Sequence, residues 1–122
     1  MNGFPRGKAA IVGAATFGIG RNPGLTSMDI AVNASIRALG DAGMTPGDVD
    51  ALFICLPDNF LSGLTFAEYL GIQPKITENN RTGGSAFLAH LQSACLALDA
   101  GLCDVALIAY GGQVSGLGDE VR

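Results

Sequence analysis

The chain has 122 residues, of which 48% are hydrophobic and 15% charged, with a formal net charge of −4. That length suits one domain able to bury a real core, and the acidic balance, without a Lys/Arg cluster, argues against nucleic acid as a partner. One histidine and three cysteines (Cys55, Cys95, Cys103), with no Cys-x-x-Cys spacing, argue against a metal site or a disulfide framework. No apolar run reaches the roughly 20 residues of a membrane span. The start, MNGFPRGKAAIVG, lacks a hydrophobic signal core, so a cytoplasmic protein is expected. So apolar a composition predicts surface meant for burial against a partner subunit or further polypeptide.

In chain order, Ala9 to Ala15 reads as a buried strand feeding a Gly-rich loop from Gly18 to Gly24. Thr26 and Asp29 have capping-box spacing ahead of an amphipathic helix that runs to about Ala42 and stops at Gly43. Its inner stripe is Met28, Ala31, Val32, Ser35, Ile36, Leu39 and Ala42. A turn at Thr45–Asp48 leads into Val49–Leu56, a continuously apolar strand covered on both faces. A short helix follows from Thr65 to Leu70, with Thr65 and Glu68 as a second box and Gly71 at its end. Lys75–Asn80 is a strand of poor alternation, suited to a sheet edge or to pairing with another chain.

Ala86 to Ala100 is a helix apolar on nearly every side, its only formal charge being Asp99, and Gly101 ends it. Such a helix is normally buried all round, yet the layer that would cover its outer side is missing from these residues. Asp104–Tyr110 is a third strongly apolar strand, and residues 113–122 form an irregular tail. Strands alternating with helices predict an α/β domain with a mostly parallel sheet and helices on both faces.

The tempting motifs are weak. Gly13 to Gly20 lacks the G-x-G-x-x-G spacing of dinucleotide sites, and Ile19 and Gly20 stand where a phosphate loop needs Lys and Ser/Thr. His90, alone in an apolar helix, reads as a packed, hydrogen-bonded residue more readily than as a base. Asp99 fits local capping or solvation at the helix end. Cys55, at the end of a strand, and Cys95 and Cys103 read as small buried hydrophobes with no base beside them in sequence. The stronger feature is the Gly83-Gly84 hinge, where a strand passes into the apolar helix. It presents unpaired N–H groups and the positive end of the helix dipole in a buried place.

Together AAIVGAAT, DIAVNASIRALGDAGM, PGDVDALF, AEYLGI, GGSAFLAHLQSACLALDAGL and CDVALIAYGG resemble the N-terminal half of the first domain in the thiolase superfamily, of the lipid-transfer-protein or sterol-carrier-protein-x type. The likeness covers Gly7 to Gly112, and residues 1–122 would be the N-terminal part of a thiolase-like layered domain. The resemblance implies a dimer of five-layered subunits and chemistry on a C–C bond of an acyl-CoA thioester, in lipid or steroid side-chain metabolism. Coenzyme A enters as substrate, with no tightly bound cofactor.

In thiolases a nucleophilic Cys opens a Cys-x-Ser-Gly motif at the start of the central helix. Counting back from Gly101 puts that slot at Gly84, followed by Ser85 and Ala86. Glycine offers no nucleophile, whereas the backbone N–H groups of Gly84, Ser85 and Ala86 can still polarise a carbonyl. Cys-less relatives in the superfamily are aldolases that work with a small OB-fold partner protein. Retro-aldol cleavage is therefore expected in preference to thiolysis, with the acid and base beyond Arg122 and a homodimer paired through the Lys75–Asn80 strand. The rival expectations are a nucleophile at Cys55 or Cys95, and a non-catalytic binding or scaffold subunit.

Overall fold

The computed structural model describes residues 9–19, 24–56, 62–80 and 85–112. They form α1 (Ser27–Asp41), a 3-10 turn (Pro46–Asp48), β1 (Ala51–Cys55), α2 (Ser62–Leu70), β2 (Ile76–Asn79), α3 (Ala86–Asp99) and β3 (Ala106–Tyr110). The three strands are parallel, in the order β2-β1-β3. From β1 the chain therefore moves one way to β2 and then back across β1 to β3. Two right-handed crossovers in opposite directions must leave their helices on opposite faces of the sheet.

Alternation along β1 divides the core accordingly. Leu52, Ile54 and Leu56 join Leu107 and Ala109 beneath α1 and α2. Ala51 and Phe53 pack with Ala94 and Ala97 of α3 and with Cys103. All five β1 residues are buried, as a central strand covered on both faces requires.

Local chemistry accounts for the element ends. The Thr26 hydroxyl accepts from the Asp29 N–H at 3.0 Å, and the Asp29 carboxylate accepts from the Thr26 N–H at 3.0 Å, so the expected capping box forms. Tyr69 of α2 adds its hydroxyl to the same carboxylate at 3.0 Å, joining the two helices. Thr45 and Asp48 repeat the box at the 3-10 turn, with Thr45 N–H donating to Asp48 at 2.8 Å. Past the helix ends, Gly43, Gly71 and Gly101 adopt φ of 72°, 75° and 75°, left-handed backbone that side chains resist.

Four expectations need correction. Ala9–Ala15 is not a strand: it carries no strand geometry, Ile11 is 76% exposed, and the segment lies along α1. There Ala14 N–H donates to Asp41 at 3.2 Å, Arg37 donates to the Thr16 carbonyl at 3.3 Å, and any Cβ on Gly13 would collide with the Ala38 carbonyl oxygen. An apolar run becomes a strand only where a neighbouring strand takes its hydrogen bonds, and no described strand lies beside this one.

The second correction concerns α2, which begins at Ser62, so Thr65 is inside the helix and no cap. In α1, third, Ile36 is 50% exposed and Ile30 is buried in its stead, a small rotation of the inner stripe. Fourth, α3 buries only the narrow stripe Ala86, His90, Ala94 and Ala97 against the sheet, while Phe87, Leu88 and Leu96 remain roughly half exposed. Small residues face inward, so α3 lies close on the sheet and its bulky residues point away from it.

The N-terminal ends of β1 and β3 are tied by one carboxylate. Asp50 accepts from the N–H groups of Asp104 at 2.9 Å and Val105 at 2.8 Å, with Lys75 Nζ at 4.0 Å. Burial pushes the Asp50 carboxyl up, but the N–H donors of Val105 and Asp104 and the Lys75 charge outweigh it, leaving the group below its usual value. A lowered folded value means stability that is fully present above the unfolded value of 3.8 and is lost as pH falls through the folded one. Asp50→Asn is expected to destabilise by about 1–2 kcal/mol at neutral pH. The gap from wild type should close in acid, as urea unfolding at both pH values will show.

Candidate active site

At the carboxyl edge of the sheet, the chain leaving β1 goes to one face through α2, and the chain leaving β2 goes to the other through α3. Where neighbouring parallel strands send their connections to opposite faces, a crevice opens beyond their carboxyl ends. Here those carboxyl ends are Cys55–Leu56 and Asn79–Asn80. The two asparagines diverge as consecutive strand residues do. Ser62, in the first turn of α2, donates its hydroxyl to Asn79 Oδ1 at 3.2 Å, and a Cβ on Gly63 would collide with that same oxygen. Glycine there lets α2 close on the end of β2.

Asn80 serves the other face. Its backbone N–H reaches the Ile54 carbonyl at 3.4 Å, and its side-chain Nδ2 lies 2.9 Å from His90 Nε2. His90 is fully buried, its ring tilted at 51° to Phe53 with centroids 5.8 Å apart. Burial pushes the imidazole below its usual value, against a smaller pull from the Glu78 carboxylate, and so favours the neutral ring. The expectation of a packed, hydrogen-bonded histidine holds.

Above this pair stands the N-terminus of α3. Ser85 is its N-cap, with φ −79° and ψ −4°; the carbonyl accepts from Leu88 and Ala89 N–H, and the hydroxyl makes no capping bond. Ala86 is fully buried, and no acidic residue in the first turn offsets the helix dipole. The first N–H groups of a helix have no partner within it, so this end can receive negative charge. Gly84 lies outside the described residues; Ser85 and Ala86 stand where the sequence puts them.

The cysteines are placed differently. Cys55 is fully buried at the carboxyl end of β1, and Cys103 is buried on the α3 side, its thiol pushed up by burial and by the Asp50 and Asp104 charges. Cys95 lies about 13 Å along the axis of α3 from Ala86 at 1.5 Å per residue. A thiol that is buried, or raised in pKa, is a poor nucleophile. Ser62, Asn79 and Asn80 are the neighbours that sequence reasoning missed. The signal for them was a pair of asparagines ending a strand just before an apolar helix with a lone histidine.

A groove of about 590 Å³ also runs between α2 and β2, lined by Leu64, Glu68, Ile72, Pro74 and Thr77 among others. It lies on the α2 face of β2, opposite to His90. Among the described residues no group of three or more His, Cys, Asp or Glu could hold a metal, and no helix is long and apolar enough to cross a membrane.

This parallel sheet with helices on both faces is the thiolase-like α/β fold. The solved Ltp2-ChsH2(DUF35) aldolase has it at TM-score 0.71 and 29% identity, over 81% of this chain and 26% of that one. Two curated proteins are similar in sequence. One is 17-hydroxy-3-oxo-4-pregnene-20-carboxyl-CoA lyase of Mycobacterium tuberculosis, 34% identical over 105 residues, which are 85% of this chain and 27% of the relative. The other is the steroid side-chain-cleaving aldolase of Thermomonospora curvata, 32% identical over 100 residues, 81% of this chain and 25% of the relative. The chain thus spans about a quarter of the curated relatives it matches. No family model matches it.

Proposed function

We propose that this chain is part of a lyase of the sterol-carrier-protein-x type that cleaves a C–C bond of a steroid or lipid β-hydroxyacyl-CoA by retro-aldol chemistry. The observation that carries the reading is glycine at position 84, in the slot where the thiolase resemblance expects the nucleophilic cysteine, next in sequence to Ser85, which caps α3 without a side-chain capping bond. The names of both curated relatives, a CoA lyase and a side-chain aldolase, support it.

In a retro-aldol step a base takes the β-hydroxyl proton and the Cα–Cβ bond breaks. Its electron pair passes into the thioester as an enolate, a carbonyl product leaves, and a proton returns to Cα. No acyl-enzyme forms, so no side-chain nucleophile is required. The amides of Gly84, Ser85 and Ala86 would hold the thioester oxygen as charge builds on it. The base and acid belong to residues outside this chain, and coenzyme A is carried by the substrate, with no tightly bound cofactor.

Two partners follow from the same reading. The outer edge of β2 is unpaired by any described strand, which suits a homodimer joined through Lys75–Asn80. A small OB-fold protein would complete the enzyme, in keeping with the DUF35 partner in the name of the solved aldolase.

The test is to incubate the protein with a steroid β-hydroxyacyl-CoA, with and without a DUF35 partner. A carbonyl product and a shortened acyl-CoA are expected, with no free coenzyme A consumed. Cleavage that requires coenzyme A, or an acyl adduct on Cys55 or Cys95 after labelling with an acyl-CoA analogue, would overturn the reading. Binding without cleavage in both arms would instead assign a scaffold subunit.

A further inference from the structure

The Asn80–His90 pair spans the two ends of the stretch that holds the proposed slot. Asn80 directly follows β2, and His90 lies just over one turn into α3, so the 2.9 Å contact joins strand end to helix across residues 81–89. Both partners are anchored from behind: Asn80 N–H reaches β1 at Ile54, and the His90 ring, wholly out of solvent, rests against Phe53 of the same strand. With Asn80 Nδ2 as donor, His90 Nε2 must be the acceptor, which puts the ring proton on Nδ1. Nδ1 is buried and has no hydrogen-bond partner among the described residues. Among the described residues Asn80 is therefore the group that selects the tautomer.

We propose that Asn80 and His90 are positioning residues: the Asn80 amide, held by the Nδ1–H tautomer of His90, sets where the first turn of α3 stands relative to the carboxyl ends of β1 and β2. Resting on the acyl-CoA reading, this adds that the Ser85 and Ala86 amides are aimed by a side-chain clamp beneath them. A backbone oxyanion site has no side chain of its own to hold it, and misplacement by about 1 Å can cost about a hundredfold in rate. The clamp acts on orientation and not on substrate affinity, so its loss belongs in kcat.

The test uses the protein with ¹⁵N-labelled histidine, the His90 resonance being the one that vanishes in His90→Gln. Nε2 is expected to show a pyridine-like shift and Nδ1 a pyrrole-like one, reversed in Asn80→Asp, whose carboxylate can only accept. His90→Leu is expected to lower kcat about tenfold or more with KM changed by about threefold at most, and His90→Gln, which keeps an acceptor for Asn80, to restore most of the loss. A pyrrole-like Nε2 in the wild type, or a folded His90→Leu variant with wild-type kcat, would overturn the proposal. The nitrogen shifts need no turnover, and wild-type turnover is measured in the same assay, so failure of the acyl-CoA reading shows itself separately.

Discussion

Phe53→Ala is expected to lower folding stability by about 3–5 kcal/mol, the range for emptying a large buried aromatic site. The value should lie toward the upper end because the core on the α3 face is thin. Its other buried members are Ala51, Ala94, Ala97 and Cys103, small side chains that can fill little of the space, with the larger Ile76, Leu98 and Ile108 only partly buried at its margin. Phe53 is 2% exposed and its ring also supports His90 at 5.8 Å. A small domain has only about 5–15 kcal/mol in total, so this one change should bring unfolding close to working conditions. Urea unfolding checks it: the midpoint should fall sharply with the m-value nearly kept. A loss below about 1 kcal/mol would mean that α3 is held chiefly by something other than this ring.

The second large effect concerns rate. Ser85→Pro is expected to reduce kcat by about 10²–10³, the cost of removing one oxyanion donor, whereas Ser85→Ala should leave it nearly unchanged. The two substitutions separate backbone from side chain. The Ser85 hydroxyl makes no capping bond, so losing it costs little, and φ of −79° lies within the range that proline accepts. Proline there deletes the N–H while the carbonyl keeps its bonds to Leu88 and Ala89. Equal activity in both variants would remove Ser85 N–H from the proposed site. Loss in Ser85→Ala would place the chemistry on the hydroxyl. Thermal unfolding of each variant guards against a folding defect.

What could be read from residues alone was what nearby residues decide among themselves. The box at Thr26–Asp29, the turn at Thr45–Asp48, the glycines that end α1, α2 and α3, and the apolar run of β1 depend on contacts within a few positions, and all recur in the structure. A box pattern still misled at Thr65, because spacing alone cannot distinguish a helix start from a helix interior when Ser62 and Gly63 can begin the turn earlier. The alternation of strands and helices was equally legible, and with the handedness rule it was enough to put helices on both faces.

The sequence by itself therefore determined the α/β class, the parallel central strand and the existence of the apolar helix that follows Gly83-Gly84, but not how much of that helix is buried. Only the tertiary structure decided that Ala9–Ala15 lies along α1 and forms no strand, since strand formation depends on a partner that may be far away in the chain. It also decided that the small residues of α3 face the sheet, and that Asn80 reaches His90. Those outcomes rest on which elements become neighbours, and the free energy of burial and hydrogen bonding that selects them is summed over the whole fold. No short stretch of residues carries it.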